Sequence, residues 1–164
     1  MMLNKIHPGN AEKVNVFLLA AKGSKYYYRY DKESEAFFLD KVLKTPFPFC
    51  YGFVPRTHHV DGKHLEIALL TTEPLEIGTV VSARPVGMVR MKSEISDDVL
   101  IAVSLTDYKL NYLNDISNIL KKNLNKIEDF LEEFKAKKFE RAFNAVHAKR
   151  AVKHAIDLYN QEFG

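Results

Sequence analysis

The chain has 164 residues, of which 46% are hydrophobic and 12% aromatic, and its formal net charge is +3. This length and composition suit one globular domain over residues 1–164 and exclude disordered, collagen-like and disulfide-scaffold classes. Cys50 is the only cysteine, so no intrachain disulfide can form and a reducing, cytoplasmic location is expected. The apolar stretch 16–21 is too short to cross a bilayer, so no membrane partner is expected.

The first two thirds of the chain are typical of short strands separated by polar or Gly- and Pro-containing turns. The candidate strands are 14–19, 26–30, 36–39, 65–71, 79–84, 88–91 and 99–104. Many short strands at regular intervals predict a closed or nearly closed barrel.

The last third changes to helical spacing. Apolar residues recur at that spacing in 116–124 behind Asp115, a candidate N-cap, and again in 127–134 and 142–159. Strands first and helices afterwards predict an α+β fold with helices packed beside a barrel.

The run 51–57, which reads Tyr-Gly-Phe-Val-Pro-Arg-Thr, is followed by Asp61 and Gly62. It resembles the segment that leads into the metal loop of family I (soluble) inorganic pyrophosphatases. Further segments resemble that family in the same order: 22–24, 28–34, 74–78, 84–87 and 130–135. The resemblance covers about residues 14–159. It implies a five-stranded OB-type β-barrel with additional short strands and C-terminal helices beside it, and metal-dependent hydrolysis of pyrophosphate or a related phosphoanhydride.

Such hydrolysis uses several Mg²⁺ ions held by carboxylates, with Lys, Arg and Tyr on the phosphate oxygens. The family's metal loop, Asp-x-Asp-Pro-x-Asp, corresponds here to residues 61–66, in which Asp61 is kept and Glu66 keeps a carboxylate on a longer arm. Lys63 replaces the central Asp. A +1 and a +2 charge about 5 Å apart repel by roughly 6–7 kcal/mol at an effective dielectric near 20. The substitution therefore disfavours the full set of Mg²⁺ ions, with Mn²⁺ or another divalent ion as an alternative.

The resemblance also implies which residues contact the ligands, and several of the family's ligands are replaced here. Its early glutamate corresponds to Leu19, and its Lys-Tyr-Glu triplet to residues 27–29, which read Tyr-Tyr-Arg. Asp97 or Asp98 matches one distal carboxylate, because the register of 92–99 is open by a residue or two. The implied metal ligands are Asp61, Glu66, Asp97 and Asp98. The implied phosphate ligands are Lys41, Tyr51 and Lys135, and the implied catalytic residues are Asp61 and Tyr51. Lys63 is a further candidate phosphate ligand, because its ammonium brings positive charge to the phosphates without needing carboxylates.

Two interpretations of function remain open. The chain either hydrolyses pyrophosphate with reduced or altered activity, or it is a non-catalytic protein that binds phosphate-like anions or a partner on the same fold. The basic C-terminal helices are interspersed with Glu132, Glu133 and Glu140, which is typical of solvated faces rather than of a nucleic-acid surface. A transition-metal site built from His58, His59, His64 and Glu66 is a minor alternative. Self-association into a homo-oligomer is also expected.

Overall fold

A computed structural model of the protein describes residues 3–60 and 62–163. Within them lie eight strands and two α-helices. The strands are β1 Val14–Ala20, β2 Tyr26–Asp31, β3 Ala36–Val42, β4 Cys50–Val54, β5 Leu65–Leu70, β6 Val80–Met91, β7 Asp97–Ser104 and β8 Phe139–Phe143. The helices are α1 Lys121–Lys135 and α2 Ala145–Phe163, and short 3₁₀ turns cover Leu3–Lys5, Tyr108–Leu110 and Ile116–Asn118.

Five strands close into a ring. They pair in the order β1-β4-β5-β7-β6, and β6 returns to pair with β1. The β5–β7 pair is parallel and the other pairs of the ring are antiparallel. Strand β8 extends the sheet from β6, and β2 and β3 form a separate hairpin. The prediction of an α+β fold built on a five-stranded barrel is confirmed.

Strand β6 corrects the prediction of two separate strands at 79–84 and 88–91. Pro85 and Gly87 were interpreted as a turn, but the register shifts between them while pairing with β7 continues on both sides. A bulge absorbs the missing N–H of proline within one strand. Gly87 is needed there, because a Cβ at this position would lie 2.9 Å from Ile116 Cβ and 2.9 Å from the Phe143 carbonyl oxygen.

Two strands were missed from the sequence. All five residues of β4 are buried, so the strand lacks the alternation that identifies a half-exposed strand. Strand β8 was read partly as the start of a helix at 142, whereas α2 begins at Ala145.

The predicted helix over 116–124 is wrong. Asp115 does act as an N-cap, but it caps only the 3₁₀ turn Ile116–Asn118. Its carboxylate accepts hydrogen bonds from the Ser117 and Ala145 backbone N–H groups and so ties the start of α2 to this turn. Ile119 is extended, with φ −85° and ψ 128°, and α1 begins only at Lys121.

Two apolar cores pack the helices against the barrel strands, one core for each helix. One packs Phe130, Leu131 and Phe134 of α1 on the barrel, and the other packs Ala148 and Val152 of α2. Side chains of β7 alternate between these two cores, because successive residues of a strand point to opposite faces. A third apolar cluster joins Leu3, Phe17, Leu19 and Phe53. Within the described residues, no helix is long and apolar enough to cross a membrane.

Candidate functional site

A cluster of one lysine, one tyrosine and two carboxylates lies on the α1 side of the barrel. On β4, Tyr51 belongs to the α1 core, whereas the neighbouring Cys50, a buried thiol, belongs to the α2 core. On β5, Glu66 shares the face of Ala68 by the same alternation. The barrel therefore presents Tyr51 and Glu66 to the C-terminal end of α1, where Lys135 is the last helical residue.

The four groups form a continuous hydrogen-bonded network, which we call the Lys135 network. The Tyr51 hydroxyl donates to Glu66 Oε1 at 2.6 Å. Lys135 Nζ donates to Glu66 Oε2 at 2.7 Å and to Asp97 Oδ1 at 3.1 Å. Each carboxylate therefore accepts a hydrogen bond from Lys135.

A second ammonium completes the charge balance of Asp97. Lys137 Nζ donates to Asp97 Oδ2 at 2.6 Å. Lys135 and Lys137 reach the same carboxylate because Ala136 between them is left-handed, with φ 54°, and turns the chain at the end of α1. Two ammonium groups thus balance the two carboxylates Glu66 and Asp97.

Burial makes these interactions strong. The side chains of Lys135, Glu66 and Asp97 are 12%, 18% and 9% exposed. Burial by itself would raise the pKa of Asp97, but hydrogen bonds and charge from Lys137 and Lys135 outweigh it and hold the pKa below its ordinary value. Burial likewise opposes the charge of Lys135, yet Glu66 and Asp97 raise its pKa. Asp97 and Lys135 are therefore both charged at neutral pH.

Tyr51 sits in an aromatic cluster that restricts its chemistry. Its ring contacts Phe134 and Tyr27 edge to face, with centroids 4.9 and 6.0 Å apart. Burial and then the negative charge of Glu66 raise the pKa of the Tyr51 phenol well above its ordinary value. Tyr51 therefore remains protonated at neutral pH and is a hydrogen-bond donor, which is unsuited to the role of a base.

A pocket of about 220 Å³ opens beside the network, which we call the candidate pocket. Its lining consists of Leu19, Tyr27, Tyr51, Gly52, Phe53, Lys63, His64 and Glu66. Lys63 is thus the cation of the pocket wall. Leu19, at the position of the family's glutamate, makes this wall apolar.

Lys41 lies at the end of α1 rather than in the lining of the candidate pocket. Its ammonium donates to the Phe134 carbonyl oxygen at 3.3 Å and stands 5.2 Å from the centre of the Phe134 ring. The pairing of Tyr27 with Lys41 in the β2–β3 hairpin carries it there.

Asp98 lies on the opposite face of β7 from Asp97. It accepts from Arg90 Nε at 2.8 Å and is 2.7 Å from His59 Nε2, and its side chain is fully buried. Burial opposes its charge, but the hydrogen bonds of His59 and Arg90 hold its pKa below the ordinary value. The structure therefore brings Asp97, and not Asp98, to the Lys135 network.

The structure shows whether the proposed metal ligands lie close together, except for Asp61, which lies outside the described residues. Across 3–60 and 62–163, no three His, Cys, Asp or Glu side chains form a group able to hold a metal ion. The histidine cluster also separates: His59 pairs with Asp98, while His58 Nδ1 lies 2.7 Å from Glu162 Oε2. The described donors do not fit the several metal ions that the family resemblance implies.

Neither Lys137 nor Tyr27 was among the site residues expected from the sequence. Lys137 was grouped with the basic face of the C-terminal helices, since a left-handed Ala136 cannot be read from its residue type. Tyr27 packs 4.8 Å from Phe134 and lines the candidate pocket, where the family has a lysine. The only available sign was the aromatic run at 26–28.

The barrel and the Lys135 network define a class of protein: an OB-type barrel with a lysine-rich polar site at its surface. Comparison with known proteins identifies the family. The family model described as Inorganic pyrophosphatase matches residues 19–163. The chain therefore belongs to the inorganic pyrophosphatase family.

Individual relatives agree along nearly the whole chain. The inorganic pyrophosphatase of Saccharolobus solfataricus is 35% identical over 170 residues, covering 96% of this chain and 99% of the relative. The solved inorganic pyrophosphatase of Thermus thermophilus superposes with a TM-score of 0.89 at 31% identity, covering 98% of this chain and 99% of that one. That of Helicobacter pylori gives 0.87 at 31% identity, covering 95% and 99%.

Proposed function

We propose that this chain binds pyrophosphate or a related phosphoanhydride in the candidate pocket and hydrolyses it far more slowly than a family member with its full set of carboxylates. The observation that carries the proposal is Lys63 in the lining of the candidate pocket, at the position of the family's central aspartate. Membership of a family named for pyrophosphate hydrolysis supports the substrate. Leu19 and Lys63, which stand in the pocket wall where the family has carboxylates, support the reduced rate.

The residues divide into those for the anion and those for a metal. Lys63 lines the candidate pocket, so we propose that it contacts phosphate oxygens directly. Tyr51 lines the pocket as well, and its single O–H reaches a phosphate oxygen only by leaving Glu66 Oε1. Lys41 and Lys135, both at the end of α1, add positive potential and bind phosphate only if they leave their present acceptors. A tyrosine donor and ammonium groups suit phosphate, which is a strong acceptor.

The proposal also includes a weakened metal requirement. Members of the family use divalent ions, generally Mg²⁺, which neutralise the phosphates and supply a hydroxide near neutral pH. Of the proposed ligands Asp61, Glu66 and Asp97, the two that the structure describes are each bound to an ammonium. We propose that Mg²⁺ binding is weak here, because it competes with Lys135.

The second candidate function is metal-free anion binding without turnover. The Lys135 network favours it, since every charge in it has a partner of opposite sign. In that case Lys63 supplies the charge that a divalent ion supplies in other members. Both candidates predict binding of pyrophosphate, and only the first predicts phosphate release.

Two further inferences belong to the same proposal. We infer that residues 1–164 act as one cytoplasmic domain, supported by cores that join both helices to the barrel. We infer a homo-oligomer, supported by exposed apolar side chains such as Val42, Leu120 and Tyr108, which are 62%, 63% and 75% exposed. A monomer mass by light scattering at micromolar concentration would remove the second inference.

Phosphate release from pyrophosphate tests the proposed rate. Purified protein is assayed with Mg²⁺, with Mn²⁺ and with EDTA, and Lys153→Ala, a change on the exposed face of α2, serves as the matched control. We expect turnover well below the 1–10³ per second of typical enzymes. No release above a buffer blank selects the second candidate, and turnover within the typical range overturns the proposal.

A further inference from the structure

A second pocket adjoins the candidate pocket across a single side chain. It has a volume of about 450 Å³, and its walls include Lys32, His58, His64, Tyr159 and Phe163. His64 lines both pockets. We call the second one the aromatic pocket. Its volume falls within the roughly 300–1,000 Å³ of small-molecule sites, whereas the candidate pocket is smaller than that range.

The walls of the aromatic pocket are held in place. The His58 ring stands perpendicular to Tyr159 and Phe163, with centroids 5.5 and 5.3 Å away. Glu162 orients that imidazole at 2.7 Å from Nδ1, and the His58 backbone N–H donates to the Ala155 carbonyl at 2.9 Å. The residues after β4 are thus tied to the last turns of α2.

His64 is shared by the two pockets, and two contacts hold its ring in place. Its ring stacks on Phe53 with centroids 4.7 Å apart and an interplanar angle of 16°. Its Nδ1–H donates to the Thr57 carbonyl oxygen at 3.0 Å, which leaves Nε2 as an acceptor in the neutral ring. Burial, with a smaller contribution from the Lys32 charge, lowers its pKa, so the ring is neutral near pH 7.

The chemistry on the two sides of His64 is different. One side offers Lys63 and Tyr51, which suit phosphate oxygens. The other offers the faces and edges of three further rings together with the ammonium of Lys32. Rings bind planar aromatic groups by stacking, and an ammonium at the rim favours a ligand that also carries negative charge.

We propose that this chain binds a nucleoside diphosphate, with the diphosphate in the candidate pocket and the base in the aromatic pocket on the other side of His64. The inference rests on the proposed function for the phosphate half and adds an organic half to the ligand class. Free pyrophosphate fills only the candidate pocket. The ester therefore binds more tightly than pyrophosphate does.

Calorimetric titration of ADP and of pyrophosphate, in EDTA, tests the inference. The variants are Phe163→Ala and Tyr159→Ala in the aromatic pocket and Lys63→Ala in the candidate pocket. Tyr112→Ala is the matched control, because that tyrosine is 63% exposed and lines neither pocket. Phe163 is 61% exposed near the end of α2, so its loss leaves the fold intact, and circular dichroism verifies this for each variant.

We expect Tyr159→Ala and Phe163→Ala to weaken ADP binding by about five- to 150-fold and leave pyrophosphate binding unchanged, as for loss of one base-stacking ring. Lys63→Ala weakens both ligands, and Tyr112→Ala weakens neither. ADP binding that is no tighter than pyrophosphate binding, or that is indifferent to Tyr159 and Phe163, overturns this inference and leaves the proposed function standing. Absence of binding by both ligands overturns the two together.

Discussion

Replacing Lys135 by methionine tests whether its ammonium holds the site together. The change keeps the length of the side chain and removes the charge that Glu66 and Asp97 share. Their side chains are 18% and 9% exposed, so water replaces the lost partner poorly. Breaking a buried ion pair from one side costs about 3–5 kcal/mol. Lys137 still neutralises Asp97, which places the expected loss of unfolding free energy at about 3 kcal/mol.

Urea unfolding at pH 7 measures this loss from the midpoint and the m-value. Lys137→Met is the matched control, because Lys137 is 38% exposed and a pair of that kind contributes about 1 kcal/mol or less. Adding Glu66→Gln to Lys135→Met removes one of the stranded charges and should recover part of the loss. Equal losses in Lys135→Met and Lys137→Met would refute the reasoning.

The same variant reveals whether Lys135 competes with a metal ion. With the ammonium gone, Glu66 and Asp97 are available to Mg²⁺. An ion at ten times its dissociation constant stabilises the folded state by about 1.4 kcal/mol. We expect added Mg²⁺ to stabilise Lys135→Met and to leave the wild type nearly unchanged. Equal stabilisation of both proteins would show that Lys135 does not block the metal.

The remaining predictions concern three other residues. Lys63→Ala should weaken pyrophosphate binding in EDTA by roughly 1.5–3 kcal/mol, as for loss of a charge-assisted hydrogen bond. Lys63→Asp should also weaken pyrophosphate binding in EDTA, and it should increase the affinity for Mg²⁺. Equal calorimetric affinities in EDTA for wild type and Lys63→Ala would argue against a phosphate-binding role for Lys63. Asp98→Ala should cost about 3–5 kcal/mol in urea unfolding because it strands Arg90 and His59, and a loss below about 1 kcal/mol would contradict the buried network. The Ala145 N–H and further hydrogen bonds lower the pKa of Asp115, so its stabilisation is complete above the unfolded pKa of about 3.9 and is lost as pH falls through the lower folded value. Between pH 5 and pH 2 the stability advantage of wild type over Asp115→Asn should therefore shrink, and a constant difference would be the contrary result.

Alternation along a strand could be read from the sequence only where its ends were known. Residues 99–104 predicted β7, but its first two residues, Asp97 and Asp98, were not assigned to it. The structure extends β7 back to Asp97, and the period of two then sends the neighbouring carboxylates to opposite faces. The sequence left open whether Asp97 or Asp98 matches the family's distal carboxylate, because the first residue of β7 was not known.

The prediction wrongly placed a turn inside β6, and the physical reason is clear. Pro85 and Gly87 are turn formers locally, and only the pairing of β6 with β7 converts them into a bulge. Ala136 is the converse case. Alanine gives no local indication of a left-handed residue, yet that conformation at the end of α1 delivers both Lys135 and Lys137 to Asp97.

The composition of the candidate pocket was partly predictable from the resemblance. Tyr51, Lys63 and Glu66 were expected near the ligand because their positions match the family's motif. The proximity of Tyr159 and Phe163 to His64 was not, since about a hundred residues separate them and only the docking of α2 brings them together.

Both candidate functions require ammonium groups to supply part of the positive charge that divalent ions supply in other members of the family. Calorimetric titration of pyrophosphate into the wild-type protein, once in EDTA and once in Mg²⁺, tests this claim most directly. We predict binding in EDTA with an affinity within about tenfold of that in Mg²⁺, a difference of at most about 1.4 kcal/mol. No binding in EDTA and tight binding in Mg²⁺ would contradict the claim.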